Sequence, residues 1–107
     1  MEEIMPRPYS NEFVLGLHHA DDSKDGVKLA KLCLKVNLPI KYVADGFDVS
    51  RRTIHSWFRG SLIRKNNVEK IQRFTALIEQ GLADGRLPAV NMADAKNFID
   101  FEVRPLL

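Results

Sequence analysis

Apolar residues recur every three or four positions along most of this chain, which is the spacing of helices that bury one face. The repeat is clearest in four segments, at residues 21–38, 39–45, 51–59 and 66–81. The pattern therefore predicts an all-α fold: one compact domain of four to five helices, with short extended arms at the N- and C-terminal ends.

The two ends of the chain fit two interpretations each. Residues 10–20 could form a short helix capped by Ser10, or an edge strand. Residues 92–101 have helical spacing, whereas residues 98–103 alternate between apolar and acidic positions as a strand does. We expect a helix to about Phe98 and an extended end after it.

Residues that start or stop helices refine these boundaries. Ser23 or Asp25 can cap the first of the four segments, and Asn66 with Glu69 has the spacing of a capping box before the last. Gly46 can take the positive φ that ends a helix. The chain is thereby divided into three parts: an N-terminal arm at 1–22, a helical domain at 23–85 and a C-terminal arm at 86–107.

The segment VSRRTIHSWFRG, residues 49–60, predicts a helix with two different sides. Ile54, Trp57 and Phe58 lie three and four apart, so this side faces the core. Ser50 can cap the helix and Gly60 can end it. Cations and hydrogen-bonding side chains occupy the exposed side: Arg51, Arg52, His55, Ser56 and Arg59.

Charge is distributed unevenly along the chain. The whole sequence carries a formal charge of +2, but residues 50–73 contain seven cations and one acid, which makes +6 in that window and −4 in the remainder. A positive pole of this kind is typical of surfaces that bind anions, including nucleic acid.

Four lysines form a second basic feature. They are spaced four, three and four residues apart, so they share one face of the helix in residues 21–38. This lysine stripe fits a surface that contacts phosphates or an acidic partner: Lys24, Lys28, Lys31 and Lys35.

Several classes of function receive no support. No apolar stretch approaches the roughly 20 residues that span a bilayer, and the acidic N-terminus does not resemble a signal peptide, so we expect a cytoplasmic protein of a bacterial host. The single cysteine, Cys33, lies on an apolar helix face and excludes a disulfide within the chain. One polar cluster suggests a metal site only weakly, since adjacent histidines rarely converge on one ion: His18, His19, Asp21 and Asp22. We expect no enzyme activity, cofactor or metal.

Residues 40–60, IKYVADGFDVSRRTIHSWFRG, resemble the helix-turn-helix of the lambda-repressor-like (Cro/repressor) family, and the similarity extends from Gly26 to Leu82. The matching positions are Ala44, Phe47, Val49, Ser50, Ile54, Trp57 and Gly60. Two positions depart from the family pattern: Asp48 stands where a turn glycine is usual, and Ile40 where a phosphate-contacting glutamine is common. A helix-turn-helix of transposase, resolvase or excisionase type fits the same residues.

The resemblance implies a sequence-selective protein that binds duplex DNA, a small phage-type transcriptional regulator whose second helix enters the major groove. The residues expected to read bases are Arg51, Arg52, His55 and Ser56. Those expected to contact phosphates are Ser50, Arg59, Arg64 and Lys65. A homodimer is expected, with the ends of the chain as dimer arms because the C-terminal one has apolar residues beyond those the motif needs: Phe98, Ile99, Phe101, Val103, Leu106 and Leu107.

Two alternatives remain open. A helix-turn-helix of this kind could instead dock on RNA polymerase or another host protein, which the lysine stripe, Ile40 and the low total charge would favour. The chain could also be the DNA-binding subunit of a recombination or packaging machine.

Overall fold

The computed structural model describes residues 9–21 and 23–107, and the regular secondary structure in them is helical. Within these residues there is no strand, so the predicted all-α class is confirmed. The structure has more helices than the four to five that were expected: α1 (Asn11–His18), α2 (Asp25–Lys35), α3 (Ile40–Phe47), α4 (Arg51–Phe58), α5 (Lys65–Ala83), α6 (Met92–Asn97), a π-helical turn (Phe98–Val103) and a 3-10 turn (Arg104–Leu106).

The first two helices begin in different ways. At α1, the Ser10 side-chain oxygen accepts a hydrogen bond from the Phe13 N–H at 3.1 Å, so the helical interpretation of residues 10–20 is correct. At α2, neither predicted cap forms. Lys24 occupies the cap position with no side-chain hydrogen bond, and Asp25 is already helical. Ser23 instead donates its N–H to the Asp21 carboxylate at 2.9 Å, which closes the preceding turn.

The connection between α3 and α4 is three residues long. Its first residue, Asp48, takes the left-handed conformation, with a φ of 57°, as expected from its place in the turn. The prediction that Gly46 ends the helix is wrong, because Gly46 lies inside α3 and is buried. A β-carbon there would lie 3.3 Å from a methyl carbon of Val103. Gly46 therefore permits close packing of the π-helical turn on α3.

Helix α5 differs from its prediction at the N-terminal end, whereas one of the two glycines that could stop it, Gly81 or Gly85, does follow its end. It begins after Arg64, so Asn66 and Glu69 lie within the helix and form no capping box. Gly81 lies inside the helix. A β-carbon at that point would lie 2.9 Å from the Phe98 ring, so glycine permits this close packing. Gly85, with a φ of 77°, follows the end of the helix.

Aromatic rings join the helices in the core. Phe47 of α3 meets Trp57 of α4 edge to face, with ring centroids 5.5 Å apart, and lies 4.8 Å from the Phe74 ring of α5. Phe58 of α4 packs against Phe13 of α1 at 6.2 Å. Such pairs add to the free energy of burial and favour one arrangement of the rings. Helix α4 is thus packed against α1 and α3, and α3 in turn against α5.

The C-terminal segment is a folded part of this core. The expectation of an extended end after Phe98 is wrong, since the backbone stays helical through the π-helical and 3-10 turns. Ile99 and Val103, four residues apart, are both fully buried. A strand would place Ile99, Phe101 and Val103 on one face, whereas a helical turn separates Phe101 from the other two. Phe101, between them, is 74% exposed.

Candidate nucleic-acid interface

Helix α4 has one buried and one exposed side, as its sequence predicts. Ile54, Trp57 and Phe58 are 4% exposed or less. On the other side Arg51, Arg52, His55 and Arg59 are exposed, and Ser56 is half-buried. The basic side chains are therefore displayed on a helix whose orientation is fixed by the core.

Backbone contact with α2 fixes α4 further. A β-carbon on Gly26 would lie 2.0 Å from the Trp57 carbonyl oxygen and 2.6 Å from the carbonyl carbon. Only glycine allows the two helices to approach this closely. The sequence analysis did not identify this contact. The signal for it is a glycine in the first turn of an amphipathic helix, next to the apolar position Val27.

The N-terminus of α4 is capped and carries no acid. The Ser50 hydroxyl oxygen accepts from the Thr53 N–H at 3.1 Å and lies 3.0 Å from the Thr53 hydroxyl. No acidic residue occurs in the first turn. The N–H groups of Arg51 and Arg52 have no acceptor inside the helix, which makes this end attractive to an anion. Ser50 itself is engaged in the cap.

The exposed residues of α4 form two rows along the helix. Arg51, His55 and Arg59 are spaced by four, and so are Arg52 and Ser56, so each row follows one line of the surface. Arg59 lies at the C-cap, where its N–H bonds back to the His55 and Ser56 carbonyls. The rows together present three guanidinium groups and one imidazole on one side.

Carboxylates do not neutralise this surface. None of the seven cations in residues 50–73 forms an ion pair with a carboxylate in the described part of the chain. The ion pairs that the structure shows between named residues all lie within residues 84–104. The positive charges therefore remain available to an external anion: those of Arg51, Arg52, Arg59, Arg64, Lys65, Lys70 and Arg73.

Arg64 and Lys65 stand at the start of α5, separate from α4. Arg64 is the N-cap residue, and its carbonyl accepts from the Asn67 and Val68 N–H groups. Both side chains are exposed. Arg64 is the last residue of the short connection 61–64, and Lys65 follows it. Leu62, in the same connection, is 96% exposed. Sequence reasoning assigned Leu62 no role, and exposure of an apolar residue is visible only in the structure.

The four lysines of the stripe lie beside different neighbours. Lys24 precedes α2, and its Cγ lies 3.6 Å from where a β-carbon of Gly60 would be, so its stem reaches the end of α4. Lys31 and Lys35 instead line a groove between α1 and α2. Lys28 is exposed on α2.

The polar cluster near the end of α1 forms no metal site among residues 9–21 and 23–107, where no three histidine, cysteine or acidic side chains converge. Asp22 lies outside the described residues. Cys33 is fully buried, and this burial raises the pKa of its thiol well above the ordinary value. Its assignment to the core is confirmed.

None of the helices in the described residues is both long enough and apolar enough to cross a bilayer.

Comparison with known proteins gives no relative: no protein-family model, curated protein or solved structure matches the chain. The resemblance to the Cro/repressor family therefore rests on the residues of segment 40–60 alone and stays a prediction.

Proposed function

We propose that this protein binds duplex DNA in a sequence-selective way and acts as a small transcriptional regulator of phage type. The observation that carries the proposal is the surface of α4. Its cations are exposed and form no ion pair with a carboxylate of the described residues, while its opposite side is buried against α1, α2 and α3. A rigid helix of this kind can insert its basic side into a groove as a preformed surface.

The dimensions of α4 fit the major groove of DNA. An α-helix with its side chains is about 10–12 Å in diameter, and the groove is about 12 Å wide. Arg51 and Arg52, in the first turn, would reach base edges, where arginine can bond both acceptors of guanine. His55 and Ser56, one turn later, would contact adjacent bases.

Phosphate contacts would come from both ends of α4 and from the start of α5. The free N–H groups of Arg51 and Arg52, just after Ser50, could bind one phosphate. Arg59 could bind another at the C-terminal end of the helix. Arg64 and Lys65 extend the basic surface beyond the 61–64 connection. These contacts give affinity that depends on salt, whereas the base contacts give selectivity.

A single module of this size buries limited DNA surface, so we propose that the protein acts as a homodimer on two half-sites about 34 Å apart. Each copy would place its α4 in one major groove.

Selection of bound sequences from a pool of random duplexes tests the proposal. The wild type should enrich one motif, and the double variant R51A/R52A should not enrich it. The matched control is K96A/R104A, which removes two exposed cations far along the chain and should enrich the same motif. A wild type that enriches no sequence would contradict sequence-selective binding.

A second candidate function is docking on RNA polymerase or another host protein. It is favoured by the groove between α1 and α2, a cavity of about 200 Å³ with apolar walls formed by Val14, Leu17 and Leu34. Lys31 and Lys35 border it. Such a groove suits an acidic amphipathic helix. Loss of polymerase binding in L34D, with DNA binding absent from the wild type, would favour this alternative.

A further inference from the structure

Leu62 is a large apolar residue that the DNA-binding proposal does not use. It lies in the connection between α4 and α5 and is 96% exposed, more than any other large apolar side chain of the described residues. The next residue, Ile63, is partly buried and packs against the core. This packing holds the connection in place and leaves the Leu62 side chain on its outer side.

The backbone keeps Leu62 close to the exposed side of α4. The Ser61 N–H donates to the Ser56 carbonyl at 3.2 Å, so the connection is tied to the end of the helix. Arg52, Ser56 and Gly60 are spaced by four residues, and the chain therefore leaves α4 along the row that carries Arg52 and Ser56. Leu62 follows Ser61 directly, about 3.8 Å further along the chain. It thus stands at the end of a row that is proposed to read bases.

Cations flank Leu62 on both sides in the sequence. Arg59 is exposed at the end of α4, and Arg64 and Lys65 are exposed at the start of α5. None of the three forms an ion pair with a carboxylate of the described residues. A hollow beside Leu62, on the α2 side, is lined by one residue of each charge: Lys24 and Asp25. The surroundings of Leu62 are therefore positive, which favours a polyanion over an apolar protein surface as its partner.

We propose that Leu62 contacts the C5-methyl group of a thymine in the major groove, beside the bases that α4 reads. Phosphate contacts of the flanking cations bring the leucine against the DNA. The thymine methyl is the apolar group that base pairs present in this groove. Because the connection follows α4 directly, a helix lying in the major groove keeps Leu62 on the same groove. This inference rests on the proposed function and adds to it a base that no polar side chain of α4 specifies.

Replacing single thymines with uracil removes the methyl group alone and tests the contact. The starting duplex is the sequence that the wild type selects from a random pool. One replacement should weaken binding of the wild type about fourfold, the effect of one buried methyl group. L62A should bind the thymine duplex about fourfold more weakly than the wild type, and it should bind the thymine and uracil duplexes equally. Fluorescence anisotropy measures these affinities.

Two variants are matched controls. R64A removes a flanking cation and should weaken binding to the thymine and uracil duplexes by the same factor, because phosphate contacts carry no sequence information. L15A removes another exposed leucine, which is 61% accessible on α1, and should keep the wild-type preference for thymine. Circular dichroism should show that L62A keeps the wild-type helix content.

The possible outcomes separate this inference from the proposed function. A wild type that selects no sequence would contradict both. A selected sequence without thymine, or one in which every uracil duplex binds the wild type as tightly as the thymine duplex, would overturn the role of Leu62 alone. A thymine preference that L62A retains would overturn it as well. Weaker binding of L62A without any thymine preference in the wild type would instead indicate insertion of Leu62 between base pairs.

Discussion

A β-carbon on Gly26 would lie 2.0 Å from the carbonyl oxygen of Trp57, so the backbones of α2 and α4 are in direct contact. This contact sets the position of the helix that carries the basic surface. The same contact therefore bears on both the stability of the fold and the DNA binding that we propose.

Replacing Gly26 with alanine should therefore destabilise the protein. The new methyl group meets backbone atoms, which cannot rotate away, so we expect a loss of about 3 kcal/mol, the upper end of the range for overpacked sites. Denaturant unfolding followed by the fluorescence of Trp57, the one tryptophan, measures it.

Gly16 provides the matched control. It lies in the interior of α1, and a β-carbon there meets nothing within 4 Å. G16A should stabilise the protein by about 0.5–1 kcal/mol, because alanine favours the helix over glycine. Equal free energies of unfolding for the two variants would contradict the contact between α2 and α4.

The cap of α4 gives a second prediction. S50A removes the acceptor of the Thr53 N–H bond and should cost about 1 kcal/mol of stability. S50N should recover most of this loss, since asparagine caps helices equally well. Ser61 is exposed and caps no helix, so S61A should unfold like the wild type. Thermal unfolding of the three variants makes the comparison.

The C-terminal segment should prove essential to the core of each copy. I99A empties a fully buried site and should cost about 2–5 kcal/mol, whereas F101A should change the stability of the monomer by no more than about 0.5 kcal/mol. Both are measured by denaturant unfolding at low protein concentration, where dimers do not form. An I99A protein as stable as F101A would contradict the packing of the π-helical turn on α3.

Truncation after Pro88 should for the same reason disrupt folding rather than release intact monomers. It removes five buried side chains, those of Ala89, Ala95, Phe98, Ile99 and Val103. The shortened chain should lose cooperative unfolding, as circular dichroism during heating would show. A sharp transition at the wild-type temperature would show that residues 89–107 do not belong to the core.

Alkaline pH should weaken the fold. Burial raises the pKa of both the Cys33 thiol and the Tyr9 phenol above their ordinary values, and the Tyr9 hydroxyl donates to the Leu38 carbonyl at 2.5 Å. The folded chain keeps both protons, while the unfolded chain releases them above about pH 8.5 for cysteine and about pH 10 for tyrosine. Stability is therefore fully present below these values and falls as the pH rises through them.

Unfolding free energies measured between pH 7 and pH 11 check this trend. The slope above about pH 8.5 should be smaller in C33A, and the slope above about pH 10 smaller in Y9F, because each variant removes one titrating group. A slope that neither substitution changes would contradict the assignment.

Local sequence signals predicted much of the fold. The spacing of Ile54, Trp57 and Phe58 gave the buried side of α4, and Ser50 and Gly60 gave its ends, because these signals act within one helix. Contacts between distant elements could not be deduced in this way. Gly46 was interpreted as a helix end, but it lies inside α3, where it packs against Val103, and Gly81 likewise lies inside α5 against Phe98.

The candidate site likewise has features that follow from the sequence of one helix and features that depend on packing between helices. The exposed side of α4 follows from helical periodicity, and the structure places Arg51, Arg52, His55 and Arg59 there. The lysine stripe follows one helix, yet the Lys24 side chain lies beside Gly60 at the end of α4, whereas Lys31 and Lys35 line the groove next to α1. Which neighbour each lysine meets depends on how α1 and α4 pack around α2, and the sequence of α2 does not contain that information.

The central claim, that α4 binds DNA, is tested most directly by the salt dependence of duplex binding, measured by fluorescence anisotropy. If three cations of each copy contact phosphates, the affinity of one copy should fall at least about 40-fold between 50 and 200 mM salt. On a selected sequence, R51A/R52A should lose about 30-fold or more in affinity, while K96A/R104A should stay within about threefold of the wild type. Affinity that responds neither to salt nor to R51A/R52A would contradict the account.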